Sequence, residues 1–292
     1  MKKILFYIIL PLMISLFISE IIFRYYGFGY PVLYDYDKSY YHLKPNQNVT
    51  RFKGSRVKIN HLGMRTNYSW EKTQYLQKII FFGDSVTFGG SYIDNKELFS
   101  ERLCLRIEKS ICGNYGVNGF KINNLNYQIN DKINNINFNH LIIVVSNSIT
   151  NGKSNFYDFP FYEKFEYKLL KATNEILNHI LFKYNLNDNY HEIKIKEEDV
   201  LKSTINNFVN TLNKIKKNNT KISIFILPTI ENLNSKKYPK HFLENIKIEN
   251  VNINNMYYEM KNLNFENLYF NNAHLNKKGH DYFSKVIYDK IK

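Results

Sequence analysis

The stretch KIIFFGDSVTFGG, residues 78–90, decides how this chain is read. Residues 79–82 are an unbroken apolar run of strand length, the pattern of a strand buried on both faces of a parallel sheet. The run stops at Gly83-Asp84-Ser85, and two more glycines follow at Gly89 and Gly90. Such a strand delivers a hydroxyl to its own carboxyl end with nothing bulky around it. In open α/β sheets that edge is where ligands bind.

Further apolar runs follow at residues 111–117, 141–145 (LIIVV), 222–227 (ISIFIL) and, briefly, 268–270. Stripes at helical spacing separate them: Phe99, Leu103 and Ile107; Leu201, Ile205, Phe208, Leu212 and Ile215; and Tyr282, Phe283, Val286 and Ile287. Strands alternating with helices predict an α/β domain whose mostly parallel sheet is covered on both faces. Residues 25–75, rich in Tyr, Pro, Asn and Lys without a sustained period, read as a meandering arm with short strands packed on that domain. Residues 152–199 interrupt the alternation. They bring seven aromatics in the twelve positions 156–167 and a helix-like run to Lys183. A lid at the functional edge and an extra helical pair over the core both fit this insertion.

Residues 4–23 are 20 positions with one charge, Glu20, preceded by Lys2 and Lys3. That is about the length that spans a bilayer as a helix. A cleaved signal peptide is the competing reading, but no A-x-A-like site follows and IIFRYY is a poor cleavage region. Residues 1–24 therefore read as a retained anchor, and the lysines before it favour an extracytoplasmic location for the rest. The formal net charge of +14 raises nucleic acid as a partner, yet only six residues are Arg, none beyond Arg106, and lysine is dispersed among 42 asparagines. Phosphate clamping and base readout lean on arginine, so no nucleic-acid partner is expected. Anionic lipid or acidic polysaccharide suits such a surface better. Cys104 and Cys112 either pair across a short loop or remain buried thiols. With no CxxC and no HxxxH, neither a metal nor another cofactor is expected.

Three glycine-rich motifs fail at residues 78–90 and beyond. No lysine follows Gly89-Gly90 for a phosphate loop; Gly113, Gly116 and Gly119 lack the first pair of a dinucleotide fingerprint; and Thr87 stands where a G-x-S-x-G elbow needs its second glycine. Residues 81–89, FFGDSVTFG, instead resemble the first block of the SGNH (GDSL-like) hydrolases, and further blocks follow in family order. Asn114-Tyr-Gly-Val-Asn-Gly119 resembles the second, Ser146-Asn147-Ser148-Ile149 stands at the third, and Asn272-Ala273-His274-Leu275-Asn276 with Gly279 resembles the last. The resemblance covers residues 76–292, and the arm is similar to the membrane-proximal segment of anchored bacterial members.

The resemblance implies a three-layer α/β/α sandwich around a five-stranded, mostly parallel, flavodoxin-like sheet. It implies Ser-His acyl-enzyme chemistry, with Ser85 as nucleophile and His274 as general base. The oxyanion would be held by the Ser85 and Gly119 backbone N–H groups and the Asn147 amide, helped by a helix N-terminus after Ser85. Its substrates would be O-acyl esters, foremost O-acetyl groups of surface or wall glycans, or small esters. Hydrolysis and acyl transfer share the acyl-enzyme and remain open. Two positions depart from the family pattern. Asn271 stands where an aspartate orients the imidazole, and Ser148 replaces the aspartate beside the third-block asparagine. A weak dyad, a carboxylate from elsewhere, or binding without turnover all fit those departures.

Overall fold

A computed structural model gives the structure, which describes residues 5–36, 40–51, 54–71, 75–147, 149, 154–157, 172–173, 175–177, 180, 184, 190–193, 199–216, 220–238, 240–249 and 251–292. The chain enters through α1 (Leu10–Tyr26), preceded by a π turn. Phe6–Tyr26, 21 residues with mean hydropathy 2.3 and none of it buried, is long and apolar enough to cross a membrane. The arm forms two antiparallel hairpins, β1 (Tyr34–Tyr36) with β2 (Tyr41–Leu43) and β3 (Gln47–Arg51) with β4 (Ser55–Ile59). Its Tyr41, Leu43, Val57, Ile59 and Trp70 are buried in the same core as the main sheet.

The main domain runs β5 (Gln77–Gly83), α2 (Ser85–Phe88), α3 (Phe99–Cys104), β6 (Ser110–Asn114), α4 (Ile122–Ile133) and β7 (His140–Ser146). After the insertion, which carries an antiparallel pair β8 (Ser154–Tyr157) and β9 (Tyr190–Ile193), come α5 (Asp199–Lys216), β10 (Lys221–Leu227), α6 (Ile230–Asn234), β11 (Val251–Asn255), α7 (Tyr257–Met260) and α8 (Lys277–Ile291). Five strands pair in the order β11-β10-β7-β5-β6, and every pairing is parallel. Alternate side chains serve opposite layers, as the pleat dictates. Ile80, Phe82, Leu141, Ile143 and Val145 pack with Leu125 and Ile129 of α4 and Phe208 and Leu212 of α5. Ile79, Phe81, Ile142 and Val144 pack with Phe99 and Leu103 of α3 and Phe283 and Ile287 of α8. The fold is an α/β/α sandwich.

Counted from β6, the strands come second, first, third, fourth and fifth in the sequence, which is the flavodoxin-like order. The connections from β5 therefore diverge: β6 lies on one side of it and β7 on the other. The crevice at this switch point opens beyond Gly83.

Two readings need correction. The fifth strand is β11, not residues 268–270, which end a 3-10 turn (Phe265–Leu268) and pair only through an isolated Tyr269–Leu275 bridge. As an edge strand with no fully buried residue, VNINN lacks the continuous apolar run of its neighbours. The helix carrying Phe99 and Leu103 stops at Cys104, leaving Ile107 in the turn beyond it. Cys104 and Cys112 are bonded, with Cα atoms 5.8 Å apart, clipping the end of α3 to β6. Residues 158–171 of the insertion, with five of its ten aromatics, lie outside the described residues.

Candidate active site

The turn that presents Ser85 is built by its neighbours. A Cβ on Gly83 would collide with the Val144 carbonyl oxygen and the Thr87 side chain, so only glycine lets β5 pass this close to β7. Asp84 caps α2. One carboxylate oxygen accepts from Val86 N–H at 3.0 Å; the other accepts from Ser146 N–H at 3.0 Å and Ser146 Oγ–H at 2.6 Å. The carboxylate thus ties the carboxyl ends of β5 and β7 together and fixes Ser85 between them. Gly89, at φ 84°, ends the helix after one turn. So short a helix adds little dipole at Ser85, and less help for an oxyanion than a full helix would give. The second block forms the floor: Asn114 Nδ2 donates to Thr87 O at 2.7 Å, and its Oδ1 accepts from Gly116 N–H at 2.8 Å.

His274 sits on a loop closed from both ends. Phe270 N–H donates to His274 O at 2.7 Å, and Asn276 N–H donates to Leu268 O at 2.9 Å. The Asn276 side chain caps α8 by accepting from Lys278 and Gly279 N–H. Tyr92, from the loop after α2, donates its hydroxyl to Leu275 O at 3.0 Å and stacks on Phe270 with ring centroids 3.9 Å apart. These contacts hold His274 Nε2 2.8 Å from Ser85 Oγ and Nδ1 2.9 Å from Asn271 Oδ1. His280, on α8, is by contrast fully buried, accepts from Phe99 N–H, and is pushed down to about 3 by burial. Its role is packing.

The Asn271 oxygen also accepts from Ala273 N–H at 3.1 Å and His274 N–H at 3.0 Å. An amide NH2 turned that way would oppose two donors, so the carbonyl oxygen faces the ring and Nδ1 carries the hydrogen. Nε2 is then free to accept from Ser85 Oγ–H. Where a triad aspartate becomes asparagine in a serine protease, much of the loss comes from the wrong tautomer. That part of the loss is avoided here; the missing charge is not.

Burial lowers the His274 pKa below the ordinary histidine value of about 6.5, and the charge of Asp84 opposes that shift. Burial raises Asp84, against the hydrogen bonds from Ser146 and Val86 and the proximity of His274. Among the described residues Asp84 makes no hydrogen bond to the imidazole and acts on it only through its charge. A general base works when neutral, so the acid limb of kcat/KM is expected below pH 6.5 for ester turnover. A limb at or above pH 7 would contradict this assignment.

Gly119 and Asn147 follow β6 and β7 at the same carboxyl edge. Gly119 takes φ 75°, which favours glycine. Asn147 N–H donates to Leu227 O at 2.8 Å, while its Oδ1 is buried without a hydrogen-bond partner among the described residues. Ser148 lies outside them. Arg65 of the arm escaped the sequence reading. It is fully buried and donates to Phe88 O (2.7 Å), Gly90 O (2.8 Å), Asn95 Oδ1 (2.9 Å) and Ile93 O, fixing the loop that carries Tyr92. Burial pushes its guanidinium down to about 9, still cationic at neutral pH.

No protein-family model and no curated protein matches the chain. Among solved structures it is similar to a member of the lipolytic G-D-S-L family from Veillonella parvula DSM 2008, at 14% identity over 74% of this chain and 100% of that one, with a TM-score of 0.42. It is also similar to a lipase/acylhydrolase from Enterococcus faecalis (13% identity, 74% and 95% covered, TM-score 0.45) and to an acetyl xylan esterase (13% identity, 74% and 100% covered, TM-score 0.45). These likenesses are of fold. In this chain's own geometry the first and last of the quoted sequence blocks meet at the switch point, with Ser85 and His274 in hydrogen-bond contact.

Proposed function

We propose that this protein is an SGNH-type serine esterase or O-acyltransferase acting on O-acyl, foremost O-acetyl, esters of cell-surface or wall glycans. The observation that carries the reading is the relay from Ser85 Oγ–H to His274 Nε2 at 2.8 Å and from Nδ1–H to Asn271 Oδ1 at 2.9 Å. Ser85 Oγ attacks the ester carbonyl while His274 takes its proton. The oxyanion is held by Ser85 N–H, Gly119 N–H and the Asn147 amide. As the tetrahedral intermediate collapses, His274 returns the proton to the leaving sugar oxygen and the acyl group stays on Ser85. Water, or a second sugar hydroxyl, then takes the acyl group by the reverse sequence.

In this reading residues 1–24 anchor the protein, residues 25–75 form the membrane-proximal arm, and the domain of residues 76–292 works outside the cytoplasm. The disulfide supports an oxidising compartment. Binding without turnover remains the alternative, and the uncharged Asn271 is the observation that favours it. The test is acetate release from O-acetylated polysaccharide by the full chain in detergent micelles, with and without added unacetylated oligosaccharide. Free acetate marks an esterase, and acetyl groups on the oligosaccharide mark a transferase. If the acylated glycan is bound but neither product forms, the binding reading replaces this one.

A further inference from the structure

The end of α1 meets the domain without a loose linker. Gly27 and Gly29 are buried, and a Cβ on Gly27 would lie 2.6 Å from the Arg51 backbone, so the helix ends directly against β3. Arg51 Nη1 donates to Gly27 O at 2.6 Å. The same guanidinium grips Glu175 through Nη2–Oε1 at 2.6 Å and Nη1–Oε2 at 3.2 Å, and Gly29 N–H donates to Glu175 Oε2 at 2.7 Å. The Glu175 side chain is only 1% exposed. A buried ion pair offsets its desolvation cost only through extensive bonding, and these contacts bring Glu175 of the insertion to the foot of α1.

The described residues 172, 173, 175–177 and 180 are helical, and Tyr184 N–H returns to Ile180 O at 3.1 Å. Ala172 and Glu175 face inward, whereas Leu177, Ile180 and Tyr184 are 51%, 48% and 62% exposed. Spacings of three and four put these three side chains on one face. That face begins two residues beyond the contact with the end of α1. Tyr25 and Tyr26, exposed at the last turn of α1, are the residue type that settles at headgroup level. The apolar face therefore starts beside the point where the span leaves the bilayer.

We propose that Leu177, Ile180 and Tyr184 lie in the interfacial layer of the membrane that α1 crosses, so that the domain rests on the bilayer as well as being tethered to it. The inference rests on α1 being a retained span. It fixes the tilt of the domain and hence the height at which the Ser85 crevice meets acylated chains.

Both native cysteines are in the disulfide, so an introduced cysteine can be labelled selectively. Leu177→Cys and Ile180→Cys in the full chain would each carry an environment-sensitive fluorophore. The labelled proteins would be reconstituted in phosphatidylcholine–phosphatidylglycerol vesicles with or without lipids bearing a nitroxide near the headgroup. Phe17→Cys, with nitroxides deep in the chains, reports on α1; Asp289→Cys, exposed on α8 across the sheet, is the aqueous reference. Positions 177 and 180 are exposed, so unchanged circular dichroism is expected in each variant. The proposal predicts blue-shifted emission at 177 and 180 and quenching several-fold stronger than at 289. Emission there like that at 289, with Phe17→Cys quenched, overturns the surface contact and leaves the anchor standing. An unquenched label at 17 overturns both.

Discussion

Ser85→Ala is expected to cut turnover of short acyl esters by up to roughly 10⁶-fold, about the cost of removing the nucleophile from a serine-protease triad. The fold should not change. The Ser85 hydroxyl is half-buried and engages His274, while the turn itself is held by Gly83, Asp84, Thr87 and Gly89. The measurement pairs kcat on p-nitrophenyl acetate with a thermal melt by circular dichroism, both on the full chain in detergent. Wild-type turnover with an unchanged melt would remove the enzymatic reading.

Asn271→Asp is expected to raise turnover by roughly 10- to 100-fold, the worth of one to two pKa units of support for the imidazolium. A carboxylate at this position would accept the same three hydrogen bonds from Ala273 N–H, His274 N–H and His274 Nδ1–H, so geometry and tautomer carry over. Only the charge is new, and Asn271 is exposed, where solvent weakens it. This is why the gain falls well short of the roughly 10⁴ lost in the protease case, which includes the wrong tautomer. The added charge raises the His274 pKa, and a base must be neutral to act, so the acid limb of kcat/KM should move to higher pH. Higher turnover without that movement would point to a cause other than the imidazole. No gain, with Ser85 still reactive, would mean that Asp84 already supplies the support.

The strands β5, β7 and β10 were legible because a strand buried on both faces needs an unbroken apolar run. Ser85, His274 and Asn271 stood out through the resemblance of their blocks to a known family, and the structure brings the three into one hydrogen-bonded line. What lay hidden depends on contacts distant in sequence. Asp84 was in view inside the opening stretch, yet its tie to Ser146 crosses 62 positions and needs the sheet order to be seen. Arg65 lies in an aperiodic segment and acts on a loop 23 to 30 positions away. The orientation of the Asn271 amide is set by two backbone N–H groups, which no residue type reveals. Edge strand β11 shows the converse: a half-exposed strand carries half the apolar signal.

The most direct test of the central claim is covalent labelling of the full-length protein with a fluorophosphonate, mapped by peptide mass spectrometry. The phosphorus reacts only with a serine whose proton can be taken by a correctly oriented base, so it asks whether the relay is poised without requiring the natural ester. The account predicts one adduct, on Ser85, absent in Ser85→Ala and formed far more slowly in His274→Ala. An unlabelled wild-type protein, or labelling as fast without His274 as with it, would contradict the account.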